Sequence, residues 1–579
     1  MRNALILALV MQALAFPAAA ASLVYVSPLP GSARLRPETS VIARYDRDIS
    51  PAASTVRTSG SVSGEHSGRT VLSDDRRTVV FRPDRPFVSG ERVEVSVSLE
   101  QDQAPTTFWF EVMAGPSPEI DAMRQLELPG PVGRATAVAD SGGPPPISAI
   151  VLDPTAPGKL FIAPFQGLDP NTPSYLLIVD NHGRPLFERK RPSPCTDFKL
   201  QPDGRLTWYD QAMSQFVAMD TTTYAIVDSF ACDNGYITDL HELLLLPNGH
   251  ALLLGLDPQY VDMSKIVEGG NPAASVLGMI IQELDAEKNV VFEWRSWDHF
   301  AITDATHEDL TAEDIDYVHS NAIEIDADGN LLLSSRHMDE ITKIDRTTGA
   351  TIWRWGGKHN EFEFIDDFGF SHQHAIRRLP NGHYTMFDNG NFHPVHASRA
   401  VEYELDQEAR TARAVWQYAN GTETYGFAMG NVQRLENGNT LVSFGTGKPD
   451  VIEVAPDGSK VLEMSLPAGI FSYRVSRATW GPEETQPIAV EAGSYLSEAA
   501  PNPFRQSARM SLRLTHPARI SVDVFDVAGR RVLSVLKADM QPVGLAEFVV
   551  DLSSLPAGTY LCRLSAGAQS QTRKLVLVP

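Results

Sequence analysis

A hairpin built on an Asn-Gly or Asp-Gly turn recurs through the middle of this chain, and that repeat constrains the fold more than any other feature. It appears as Leu200-Gln201-Pro202-Asp203-Gly204, Leu246-Pro247-Asn248-Gly249, Asp326-Ala327-Asp328-Gly329, Leu379-Pro380-Asn381-Gly382 and Leu435-Glu436-Asn437-Gly438. Both turn residues must accept positive φ, so these dipeptides are strong hairpin signals. A second hairpin opens on Asp180, Asp220, Asp285, Asp345, Asp406 and Asp457. Several of its copies end in aromatic strands, such as Phe292-Glu293-Trp294, Trp353-Arg354-Trp355 and Trp416-Gln417-Tyr418, which are suited to filling the space between blades. Two hairpins per unit predict an all-β chain with a six-bladed β-propeller over 147–480. The first blade starts at Lys159-Leu160-Phe161-Ile162 without an innermost strand, whereas Tyr473-Arg474-Val475-Ser476-Arg477 reads as an inner strand with no blade after it. Pairing the two closes the ring and removes its open edges. The alternatives are an open repeat array or two stacked sandwiches.

The 579 residues leave room for further domains on both sides. Residues 1–21 read as a signal peptide: Arg2, an apolar run from Ala4 to Leu14, then Ala18-Ala19-Ala20-Ala21 at the cleavage site. That apolar run is shorter than the roughly 20 residues a spanning helix needs, and no later stretch approaches that length, so no transmembrane span is expected. Residues 22–113 alternate with period two in short strands, among them Ser40-Val41-Ile42-Ala43-Arg44-Tyr45 and Arg92-Val93-Glu94-Val95-Ser96-Val97, and predict a small β-sandwich. A linker at 481–497 leads to a second sandwich at 498–579. With 49 basic against 72 acidic residues the net charge is −23, which argues against nucleic acid as a partner. A local positive site for an anionic small molecule is still compatible with it. Export permits a disulfide between Cys195 and Cys232, leaving Cys562 unpaired.

Twelve of the fifteen histidines lie between His241 and His396. His241 and His374 each stand eight residues before a turn glycine, and His319 and His372 stand ten before one. Offsets that differ by two put all four side chains on one side of equivalent strands. In a propeller those strands line the channel, so the four histidines are expected to converge at one mouth. Arg336, beside them, supplies a planar donor fork suited to an oxyanion such as sulfate or phosphate. A salt bridge from Arg336 to Asp339 or Glu340 is its competing explanation. Asn321 offers a further donor.

Three resemblances to known families follow from these motifs. Ser27-Pro28, Arg36-Pro37-Glu38-Thr39-Ser40, Phe81-Arg82-Pro83 and Ser89-Gly90-Glu91 resemble bacterial Ig-like modules, implying an accessory or spacer domain. Pro501-Asn502-Pro503-Phe504, Val522-Asp523-Val524-Phe525-Asp526, Leu555-Pro556-Ala557-Gly558-Thr559-Tyr560 and Lys574-Leu575-Val576-Leu577-Val578 resemble the C-terminal sorting domain of the type IX secretion system. That resemblance implies contact with the secretion machinery and delivery to the cell surface or medium. Within the repeat, Asp239-Leu240-His241-Glu242, His319-Ser320-Asn321, Ser334-Ser335-Arg336-His337, Trp355-Gly356-Gly357, Gln373-His374 and Phe387-Asp388-Asn389 resemble the bacterial arylsulfate sulfotransferases. This resemblance implies a cofactor-free, ping-pong transfer of sulfuryl groups between phenols without a nucleotide donor. It matches His374 to the family's nucleophile, and His241, His319 and Arg336 to the residues that hold and neutralise the sulfuryl group. His372 is an addition to the pattern; with Asn321 it is expected to touch substrate.

Two other functions fit the same residues. A non-catalytic surface propeller binding glycan or protein suits the flanking modules. A metal-dependent hydrolase or lyase suits clustered histidines, but no His-Glu-X-X-His pattern or paired aspartates accompany them, and Arg336 repels a cation. The sequence therefore assigns no metal.

Overall fold

The computed structural model describes residues 21–50, 54–99, 104–119, 143–480 except 168, 170, 422 and 423, and 495–579 except 498, 515–517, 528, 542–543 and 567–568. The expected signal peptide and most of the expected linker lie outside these residues. The described chain divides into two compact units, one ending at Trp480 and one beginning at Gly481.

The repeat produces six successive sheets; in the second to sixth the inner strand opens the run of antiparallel strands, and in the first it comes from the end of the repeat. Cys195–Leu200 opens the second, Ile237–Leu245 the third, Ser320–Ile325 the fourth, His374–Arg378 the fifth and Asn431–Arg434 the sixth. Gly204, Gly249, Gly329, Gly382 and Gly438 end the inner hairpin turns with φ between 83° and 90°, the conformation those glycines predicted. Each sheet touches the next, and the sixth touches the first. Ser476–Ala478 pairs with Lys159–Ile162, so the last segment of the repeat supplies the first blade's missing inner strand. A second closure was not legible: Ser148–Val151 adds to the outer edge of the sixth sheet beside Lys460–Ser465. The aromatic strands fill the space between blades. Trp353 and Trp355 are buried against Tyr384, Met386 and Tyr403 of the next blade, and Trp416 packs toward Val432 and Val442 of the sixth.

Residues 22–113 form two four-stranded sheets around Val41, Val79, Val93, Val95 and Phe110. This sandwich is docked on the third blade. Arg36 pairs with Asp257 at 2.7 Å with both side chains buried. The Tyr25 hydroxyl donates to the Glu293 carbonyl at 2.7 Å and accepts the Glu293 N–H at 2.9 Å. Its ring stacks on Phe292.

His250 sits at the same junction. Its Nδ1 faces Glu283 at 2.6 Å and its Nε2 faces Asp74 of the sandwich at 3.0 Å. Burial lowers its pKa, but hydrogen bonds and charge from these two carboxylates outweigh that and raise it above the ordinary histidine value. Arg346 also holds Glu283. A raised folded-state pKa stabilises the protein below the unfolded value, and the gain is lost as pH rises through the folded one. Against His250→Gln, the wild-type protein is therefore expected to gain on the order of 1 kcal/mol at pH 6. That advantage shrinks as the pH is taken well above 7, which melting temperatures across the pH range would record.

The unit from Gly481 is a second sandwich. Its sheets run Tyr495–Leu496, Ser507–Leu514, Gly544–Asp551 and Arg531–Gln541, Ala518–Asp526, Gly558–Ala566, Gln569–Leu577, around Leu512, Val522, Val524, Val550 and Leu575. All three cysteines are free thiols, so Cys195 and Cys232 are not bridged. Cys195 is packed among Phe198, Trp208 and Val217, and the Cys232 thiol donates to the Leu254 carbonyl.

Candidate active site

The inner strands do not run as regular strands to the end of the channel. Register shifts interrupt them between Thr238 and Leu243, Ser320 and Ala322, and His374 and Arg377. His319, His372 and Ala375 adopt positive φ there (49°, 56° and 57°). Such bulges re-aim side chains and break the two-residue alternation. They turn His241, His319 and His374 together and send His372 elsewhere.

Each of the three converging imidazoles is fixed at Nδ1. Asp239 accepts both the backbone N–H and the Nδ1–H of His241, each at 2.8 Å. Asp316 does the same for His319, at 3.1 Å and 2.7 Å. The His241 and His319 rings lie 5.1 Å apart, and Tyr473 from the closing segment packs edge-on against His241. His241 Nε2 is buried and has no hydrogen-bond partner among the described residues.

His374 is held differently. Its Nδ1 lies 2.7 Å from the Asn389 side-chain oxygen. The Asn389 amide nitrogen donates to the carbonyls of Gly426 and Met429, at 2.6 Å and 3.0 Å, which settles which end of that amide is the acceptor. Nδ1 must therefore carry the hydrogen, and the lone pair resides on Nε2. Burial pushes the His374 pKa well below the usual value, and the charges of Arg336, His241 and His319 push it the same way. A neutral imidazole with its Nε2 lone pair fixed is a competent nucleophile.

Arg336 begins a short 3-10 turn after Leu331–Ser335, and its backbone N–H donates to the His319 carbonyl. The buried guanidinium donates to the Phe427 carbonyl at 3.0 Å and to His337 Nε2 at 2.7 Å. Of the two nearby carboxylates, Glu340 pairs with Arg354 and Asp339 with His372. Guanidinium and imidazoles around one neutral imidazole suit a sulfuryl or phosphoryl group.

Two residues expected to touch substrate have protein partners of their own. The Asn321 amide donates to the Gln373 carbonyl at 2.8 Å, tying neighbouring inner strands together and using one of its two N–H groups. His372 turns to Asp339 at 2.9 Å, among His307, His337 and Phe392. Asp239, Asp316, Asn389 and His337 were not singled out as site residues. Asp239, His337 and Asn389 lie inside the motifs given above, but nothing in a single sequence ties Asn389 to a histidine fifteen residues earlier.

The C-terminal residues 499–578 match the secretion-system C-terminal sorting domain, which directs the protein to the cell surface or extracellular space. No helix among the described residues is long and apolar enough to cross a membrane. No curated protein is matched by the chain. Among solved structures, a protein of unknown function from Bacteroides caccae is similar at a TM-score of 0.35 and 14% identity, over 55% of this chain and 98% of that one. Virginiamycin B lyase from Staphylococcus aureus is similar at 0.30 and 8%, over 56% and 88%. Likenesses this remote bear on neither activity nor substrate. Residues 154–474 match the arylsulfotransferase family model, a match that supports aryl sulfotransferase activity and spans the blades that bear His241, His319, Arg336 and His374. The chain belongs to the arylsulfotransferase family.

Proposed function

We propose that the protein moves a sulfuryl group from a phenolic sulfate ester to a phenol through a sulfated His374, without a nucleotide donor. The observation that carries this reading is the Asn389 anchor, which keeps hydrogen on His374 Nδ1 and the lone pair on Nε2, within electrostatic reach of Arg336. In the first half-reaction Nε2 attacks sulfur, the N–S bond forms, and the S–O bond to the aryl group breaks. The phenolate departs with the electron pair and takes up a proton. In the second, an acceptor phenol gives its proton to a base, its oxygen attacks sulfur, and the N–S electrons return to Nε2. His241, fixed by Asp239 with Nε2 otherwise unpartnered, is suited to carry that proton. The loose transition state expected for such a transfer needs positioning and charge neutralisation, the role given to Arg336 and His319.

Nitrophenyl sulfate incubated with a phenol tests this directly. Nitrophenol release is expected to depend on the acceptor and to persist in excess chelator, with the sulfated acceptor formed in equal amount. Release abolished by chelator would point to metal-dependent hydrolysis. Absence of release across varied aryl sulfates would favour a binding propeller.

A further inference from the structure

The histidines continue past the transfer site. The His337 ring lies 4.5 Å from His319, and His372 lies 5.5 Å from His337. Both rings present Nε2 to one carboxylate: each Nε2 is 3.8 Å from Glu308 Oε1. The three candidate donor atoms lie within 4.8 Å of one another. Tetrahedral zinc with nitrogen and oxygen donors at about 2.0–2.2 Å spaces those donors roughly 3.3–3.5 Å apart. Closing the triad shortens each separation from Glu308 by about half an ångström, and the separation between the two imidazole nitrogens, at most 4.8 Å, by no more than about 1.5 Å.

The support behind these atoms is already built. His372 Nδ1 donates to Asp339 Oδ1 at 2.9 Å, and Asp339 also holds the His372 backbone N–H and faces His307. His337 Nδ1 donates to the Asp316 carbonyl at 2.5 Å. Both imidazoles therefore keep hydrogen on Nδ1 and direct the Nε2 lone pair toward Glu308. Metal-binding histidines are oriented in this way, by a carboxylate or carbonyl on the opposite nitrogen. The rings are buried, whereas the Glu308 side chain is 26% exposed, giving an ion a route in and room for a fourth, water ligand. A neighbouring grouping of Asp316, His319 and His337 offers Nδ1 edges already used in hydrogen bonds, and serves to orient the first.

One feature opposes an ion. Arg336 Nη1 lies 2.7 Å from His337 Nε2 and donates to the lone pair a metal needs. We propose that Glu308, His337 and His372 form a binding site for a zinc-class divalent cation, and that the cation competes with Arg336 for His337. Metal occupancy would then change the hydrogen bonding of the guanidinium beside the His374 nucleophile.

The test is a titration of chelator-stripped, full-length protein with Co²⁺, read by the visible absorption of low-coordinate cobalt, followed by displacement with Zn²⁺. One equivalent is expected to bind. His372→Ala and Glu308→Gln should abolish it, and Asp339→Asn should weaken it about 10–100-fold. Arg336→Gln should tighten binding about tenfold by removing the competing cation. That gain is one a merely misfolded variant would not produce. The proposal is overturned by the absence of a low-coordinate cobalt signal, by binding that survives both ligand variants, or by weaker binding in Arg336→Gln.

Discussion

His374→Ala is expected to lower sulfuryl transfer by more than about a thousandfold while the protein remains folded. Removing a covalent nucleophile costs the whole covalent route, and losses of that order or larger follow in other enzymes that form covalent intermediates. The fold should tolerate the change, because the loop that Asn389 supports keeps its bonds to Gly426 and Met429. Wild-type protein given an aryl sulfate alone should gain one SO₃ unit on the peptide that contains His374, and the variant should not. A variant that still turned over at the parent rate would end the assignment. The pH dependence gives a second check. In the proposed route the nucleophile is the neutral imidazole of His374, and burial with nearby positive charge depresses its pKa well below the usual histidine value. Protonation of His374 then begins only at pH values well under 6.5, so the first half-reaction should not slow between pH 8 and 6.5. A loss of rate over that interval, traced to His374, would contradict the depressed pKa.

The architecture was legible because it rests on local chemistry repeated many times. Gly204, Gly249, Gly329, Gly382 and Gly438 each mark an inner turn, and the spare segment around Ser476 could close only on the blade that lacked a strand. The site was legible in part. Counting back from those glycines reaches His241, His319 and His374, but the count holds only for strands that stay regular up to the channel mouth. Positive φ at His319, His372 and Ala375 shows that the mouth is built from bulges. Two-residue spacing there does not guarantee a shared face, so His372 was grouped with His374 although it turns to Asp339. Partners distant in sequence were invisible for a different reason. Glu308 meets His337 and His372, and Tyr25 meets Glu293, only because the folded chain brings separate segments together. The Cys195–Cys232 pairing failed likewise: export allows a disulfide, but the fold places Cys195 in the second blade's core and Cys232 beside Leu254.

The same folded proximity creates the second large expected effect, next to His241. Glu242 is fully buried and receives Lys199 of the second blade, Arg377 of the fifth and Arg474 of the closing segment. Asp197 shares Arg474 and Lys199, each at 2.7–2.8 Å. Burial pushes the Glu242 carboxyl up, but Arg377, Arg474 and Lys199 outweigh it and hold the group far below the usual carboxylate range. Its contribution is thus present above the ordinary glutamate pKa and lost only as pH falls through the depressed one. Three cations face Glu242 and Asp197, and Arg377 also lies 3.9 Å from the partly exposed Glu324. Glu242→Gln leaves Lys199 and Arg474 with Asp197 alone in the buried part of the site, and should destabilise the protein by about 3–5 kcal/mol. Arg474→Met leaves Lys199 and Arg377 facing Glu242 and Asp197, and it also removes Nε and Nη2, buried without hydrogen-bond partners among the described residues. Ring closure would still be held by Ser476–Ala478 on Lys159–Ile162 and by the Tyr473 hydroxyl on the Asn321 carbonyl. Arg474→Met should therefore cost clearly less than Glu242→Gln, although both sever the same ion pair. Denaturant unfolding at pH 7 separates the two cases. Equal losses, or a larger one for Arg474→Met, would mean that the cross-channel pair itself, and not the balance of buried charge, stabilises the ring.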